Sequence, residues 1–255
     1  MKNLFTVLKY TFLEVYRSKL LVGIILLALG LVVLSYVASE FAYGASGKVT
    51  LDVGLGILSL SNLGIAIFIG STLLVKEIEQ KTLYMILSRP ISRASFLIGK
   101  ILGLSSVLLL NTLFLGAIAI LLYLHKDGQL SSLFFWSLFF TFLESFIVLL
   151  FSVFFSLITN TTLSVIYTIV VFVVGHALNE TSKILFTKIN PIISNVVDFA
   201  QVVLPNFYKL NIKDFLIYEQ NLSLSYLFGV QAYGFLYAFA LMIVIVAVFN
   251  NKNLD

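Results

Sequence analysis

Residues 54–75 read GLGILSLSNLGIAIFIGSTLLV, residues 76–94 read KEIEQKTLYMILSRPISRA, and residues 95–124 read SFLIGKILGLSSVLLLNTLFLGAIAILLYL. Two long apolar runs thus flank a short charged interruption. A helix rises 1.5 Å per residue and the bilayer hydrocarbon is about 30 Å thick. About 20 mainly apolar residues are therefore needed to cross it. The stretch reads as membrane helix, exposed turn, membrane helix. Working outward, four more runs follow the same rule: 20–38, 133–158, 163–178 and 228–249. The run 163–178 is the shortest, at 16 residues. The sequence predicts an all-α polytopic membrane protein with six transmembrane helices in a single domain, 1–255.

Composition agrees. Hydrophobic residues make up 60% of the chain and charged ones 11%, against about 25% charged in an average soluble domain. The mean hydropathy is +1.06. A protein this apolar in water would expose large greasy patches and aggregate. The 24 Phe and 12 Tyr suit aromatic-rich helices and interfaces. The first run has full span length and no small-residue cleavage motif, so no cleavable leader is expected.

Several chemistries are excluded on residue inventory. Without cysteine there is no disulfide, Cys-ligated zinc or thiol nucleophile. The two histidines, His125 and His176, lie on no ligand spacing, so no metal site is expected. There is no H-E-x-x-H, no G-x-S-x-G and no pair of intramembrane aspartates, which argues against an intramembrane enzyme. A phosphate-cradling G-x-x-x-x-G-K-[ST] loop is also missing. Gly99-Lys100 has Ala94 where the first glycine should stand and Ile101 where Ser or Thr should follow. The chain is therefore expected to bind no cofactor of its own, and no basic–aromatic motif suggests nucleic acid.

Orientation follows from lysine and arginine. With the N-terminus inside, ten of the sixteen fall on cytoplasmic pieces: Lys2, Lys9, Arg17, Lys19, Lys76, Lys81, Arg89, Arg93, Lys100 and Lys252. Four of the remaining six lie in one long outer segment, where the positive-inside rule counts least. Both termini are expected in the cytoplasm, and the net charge of +4 is mostly this bias.

Two further segments are neither spans nor simple loops. Residues 1–19 place Leu4, Phe5, Leu8, Phe12, Val15 and Tyr16 at helical spacing among basic residues. That reads as an amphipathic helix lying in the inner interface. The alternative is a cytoplasmic extension of the first span. Residues 179–227 are apolar for a loop and are broken by Pro191 and Pro205. Short helices packed on the outer face or dipping into the bilayer would satisfy their backbone.

Within 76–100 the residues predict a short charged helix over about 76–90. Arg89-Pro90 stops it, because the residue before proline disfavours the α conformation, and Ser92 then caps the next helix. So short a helix is unstable alone in water and needs a partner surface. The competing reading is an ordinary interfacial loop with positive-inside arginines.

The pattern Glu77-x-Glu79-x-Lys81-Thr82-Leu83, then Leu87-Ser88-Arg89-Pro90-Ile91-Ser92-Arg93, then Gly99-Lys100, resembles the signature of ABC type-2 transporter permeases. It is most similar to the class grouped with multicopper-enzyme and nitrous-oxide-reductase maturation permeases. Leu204-Pro205-Asn206-Phe207, with Asn211 following, matches the same class in the outer segment. The resemblance covers about 30 residues in motif and the whole chain in layout. It implies that 76–90 is a coupling helix docking on a separate cytoplasmic ATPase, which would hold ATP and Mg. The docking residues would be Glu77, Glu79, Lys81, Thr82, Leu83, Leu87, Ser88, Arg89, Pro90 and Arg93. It also implies an exporter in a bacterial inner membrane, paired with a second permease copy. An extracytoplasmic partner is a further candidate. The alternatives are a membrane scaffold of an envelope assembly and a secondary transporter using Glu144.

Glu144 is the one ionisable residue in the middle of a predicted span, and such a group should face protein or water. At 100° per residue Ser137, Thr141, Ser145, Ser152 and Ser156 share its face. Asn111, near mid-depth in the preceding antiparallel span, is placed to hydrogen-bond it. Ser59, Asn62, Ala66 and Gly70 form a similar line in span two. Glu144, Asn111, Thr141, Ser145 and Ser152 are thus either a polar path or polar glue between close-packed helices. His176 is expected to pack at an interface and His125 to be solvated in an outer turn.

Overall fold

The computed structural model describes residues 2–17, 20–42, 44–79, 92–126, 128–181, 195, 199, 203–218 and 221–252. Their regular elements are all helical. In chain order they are α1 (Lys2–Arg17), α2 (Leu20–Phe41), α3 (Ser46–Glu79), α4 (Arg93–His125), α5 (Ser132–Ile158), α6 (Thr161–Thr181), a 3-10 turn (Phe207–Lys209), α7 (Lys213–Ile217) and α8 (Leu224–Asn251). Five of them, α2, α3, α4, α5 and α8, are long and apolar enough to cross a membrane. In α6 the stretch Thr161–Ala177 is a shorter apolar helix.

Helix starts follow local chemistry. Ser92 accepts from the Ser95 amide at the head of α4, Ser131 from Leu133 at α5, and Ser223 from Tyr226 at α8. Asn160 accepts from Leu163 at the start of α6. Each bond satisfies one of the orphan amides of a first turn. α3 begins at Ser46, eight residues before the apolar run that starts at Gly54, and continues unbroken to Glu79.

The hub is α5, buried on nearly all sides and packed against α3, α4, α6 and α8. Small residues set the spacing. A Cβ on Gly70 of α3 would lie 2.9 Å from both Cβ and Oγ of Ser152, and one on Gly54 would lie 2.9 Å from Ala119 Cβ of α4. In contrast, α2 and α8 present wide apolar faces outward, with Leu26 63%, Leu236 70% and Phe239 66% exposed. Lipid is the solvent that makes such faces cheap.

The helix termini sort into two ends. At one, α1 lies along the first turns of α4, with Thr11 opposite Gly103 and Lys100 bonded to Glu14 at 3.2 Å. The face that packs runs through Leu8, Thr11 and Val15, while Phe5 points outward at 67% exposure. The close approach that Gly103 permits turns Thr11 toward α4. At the same end Arg93 donates to the carbonyls of Asn250 and Lys252, and Lys252 Nζ donates to Leu157 O. At the other end Lys126 pairs with Glu40 at 3.6 Å.

Candidate functional site

Glu144 lies fourteen residues from the C-terminal end of α5, and His176 lies fifteen residues into α6. The two helices are antiparallel neighbours joined by Thr159-Asn160. That arithmetic puts the two side chains at one level, and His176 Nε2 stands 3.3 Å from Glu144 Oε1. The other ring nitrogen, Nδ1, is 3.2 Å from the Phe172 carbonyl oxygen. Glu144 is 7% exposed.

Residues 203–218 cover this pair. Phe207 is completely buried. Its ring stacks on His176 at 5.5 Å and 23°, and lies 5.6 Å from Phe172. The backbone reaches this depth because α6 has Gly175 there: a Cβ would come within 2.6 Å of both the Pro205 carbonyl oxygen and the Phe207 ring. α8 holds the same segment from the other side. The Tyr233 hydroxyl accepts from the Asn206 amide, and the Tyr237 hydroxyl donates to the Val203 carbonyl, both at 2.8 Å. Leu204, Pro205, Asn206 and Phe207 therefore form a plug whose tip is Phe207. The Asn206 Oδ1 is buried, with no hydrogen-bond partner among the described residues.

A third charge belongs to the neighbourhood. Lys213, at the head of α7, interacts electrostatically with Glu144, Asp52 and Asp214. Burial holds its ammonium below the usual lysine range, and those acidic groups pull the other way.

Asn111 does not bond to Glu144. Its amide donates to Ser61 Oγ at 2.9 Å and Asn62 Oδ1 at 2.8 Å, while Asn62 donates to Thr112 Oγ1 at 2.7 Å. The expected partnership fails because Asn111 sits on the face of α4 turned to α3. The hydroxyls of α5 serve the backbone. Thr141 donates to the Ser137 carbonyl and Ser145 to that of Thr141. Ser152 donates across to Ile67 O of α3 at 2.8 Å, and Ser164 of α6 returns a bond to Ser152 O at 2.9 Å. These are interhelical fasteners. Of the docking residues, Lys81, Thr82, Leu83, Leu87, Ser88, Arg89 and Pro90 lie outside the described residues. Glu77 and Glu79 are on the last turn of α3, where only the backbone is described. Arg93 is exposed and engaged with the end of α8. His125 is exposed.

His176 was the residue that sequence reasoning left out of the site. The signal was available in principle: counting both helices from their shared turn places it level with Glu144.

The sequence model of the family described as ABC-2 family transporter protein matches residues 6–249. Comparison with individually curated proteins gives no match.

Proposed function

The chain belongs to the ABC-2 family of transporter proteins, and on that premise we propose that this membrane permease is an exporter subunit driven by a separate cytoplasmic ATPase. The carrying observation is the family match over nearly the whole chain. It is supported by the lack of any phosphate-binding loop in the sequence and by α3, which extends past its apolar run to carry Glu77 and Glu79 beyond it. In this reading six helices, α2 to α6 and α8, cross the bacterial inner membrane with both termini cytoplasmic. α1 lies in the inner interface. Residues 76–90 dock on the ATPase, which holds ATP and Mg. Two permease copies form the working unit within the lipid, and closure of the ATPase pair opens their interface alternately. The motif at 77–93 favours the multicopper-enzyme and nitrous-oxide-reductase maturation class within the family. Transport that survives loss of the ATPase but collapses with the proton gradient would instead mark a secondary transporter.

The test is charge reversal at the docking helix. Glu77→Lys with Glu79→Lys should abolish co-purification of the ATPase while the permease still accumulates in the membrane. Undiminished assembly would refute the docking assignment.

A further inference from the structure

A carbonyl oxygen only accepts, so the His176 Nδ1 contact with Phe172 O, 3.2 Å long, is a hydrogen bond when Nδ1 carries a proton. The Nε2 contact with Glu144 Oε1, at 3.3 Å, has its own condition. It is attractive while one proton lies between the two atoms, either as imidazolium with carboxylate or as imidazole with carboxylic acid. Once that proton is lost, the ring keeps a single N–H for two acceptors, Phe172 O and Glu144 Oε1, so one of the two bonds that fix it is broken. The ring these two bonds fix is the one on which Phe207 stacks, and aromatic stacking depends on that geometry.

We propose that the Glu144–His176 pair is a proton-binding site that locks the Phe207 plug in place, and that loss of the shared proton to water frees the plug.

The surroundings decide how far the release runs. Lys213 of α7 is within electrostatic reach of both Glu144 and His176, and Asp214 of α7 and Asp52 of α3 are within reach of Lys213. On α8 the titratable groups at the plug are Tyr233 and Tyr237, both occupied in hydrogen bonds to its backbone. α4 carries no ionisable side chain between Lys100 and Tyr123, and on α6 itself Tyr167 and Glu180 flank His176 in sequence. Once the shared proton has gone, the Glu144 carboxylate still attracts the Lys213 ammonium. α7 therefore stays seated, and the opening is confined to the part of the segment that carries Phe207 and Leu210. This inference concerns the plug alone and stands apart from ATPase docking.

The native chain has no cysteine, so single thiols report cleanly. Leu210 is 1% exposed, beside the plug, and Leu216 on α7 is 8% exposed. Leu210→Cys and Leu216→Cys are labelled in nanodiscs with a water-soluble maleimide, from about pH 6 to pH 9, around the range in which histidine titrates. In the otherwise native background the ratio of Leu210→Cys to Leu216→Cys labelling should rise about tenfold or more. That is the scale of a lost charge-assisted hydrogen bond. In Glu144→Gln the ratio should stay flat, because the glutamine amide donates to Nε2 when that nitrogen is bare and accepts from it when it is protonated, so both ring bonds persist. His176→Gln serves if Glu144→Gln does not fold: it removes the titrating ring on which Phe207 stacks, so the ratio should be high already at about pH 6 and flat from there. A pH profile that is the same with and without the substitution, whether flat or rising, overturns the proposal.

Discussion

Gly175 shows how much can depend on one missing methyl. Its Cβ would meet the Pro205 carbonyl oxygen at 2.6 Å, and a backbone atom cannot swing aside as a side-chain tip can. Gly175→Ala should therefore force the plug outward and cost about 1–3 kcal/mol, the usual penalty of overpacking. Gly229→Ala is the matched control, since among the described residues nothing lies within 4 Å of a Cβ there and alanine is the better helix former. Thermal unfolding in detergent should show a fall for the first and no fall for the second; equal effects would count against the close approach. At this scale the sequence was least informative. Glu144 was legible as a charge needing a partner, but Asn111 looked as suitable as any other. The choice between Asn111 and His176 rests on which face of each helix turns toward α5, a rotation that composition does not encode.

At the scale of elements, the start of α4 was legible because its cap is local: Ser92 bonds within its own first turn. The starts of α3 and α8, at Ser46 and Leu224, lie outside the apolar runs that begin at 54 and 228, because polar first turns extend those helices beyond the span. The docking of α1 was not legible. Its packed face is centred on Thr11, whose hydroxyl returns to its own Val7 carbonyl, and the fit depends on Gly103 far along the chain. A Cβ there would lie 2.7 Å from Thr11 Cβ and 3.1 Å from the Leu8 carbonyl oxygen. Gly103→Val should lift α1 from α4 and separate Glu14 from Lys100, which is only 6% exposed. Removing one partner from a buried charge is the costly half of an ion pair. Amide exchange over residues 5–15 should then accelerate about tenfold or more, with α5 unaffected. Unchanged protection of α1 would show that the glycine is not the determinant.

For the whole molecule, the two clusters of helix ends make a definite statement about sides. Lys76 follows the apolar run of α3 at one end, and Lys209 sits beside the plug, with its ammonium over the Tyr233 ring at 5.3 Å. Lys76→Cys and Lys209→Cys should label from opposite faces of intact cells or oriented vesicles with an impermeant thiol reagent; labelling from one face would refute the proposed topology. The all-α class, the apolar helices and the polar–small lines that join them were set by the sequence alone. Burying an apolar run, capping a helix or spacing small residues along one face are local demands, and local pattern records them. The descent of Leu204–Phe207 onto α6, the pairing of Glu144 with His176 and the seat of α1 on α4 were decided only by tertiary structure. Each joins residues distant in sequence through the rotation and depth of packed helices, and those are settled by all the contacts together.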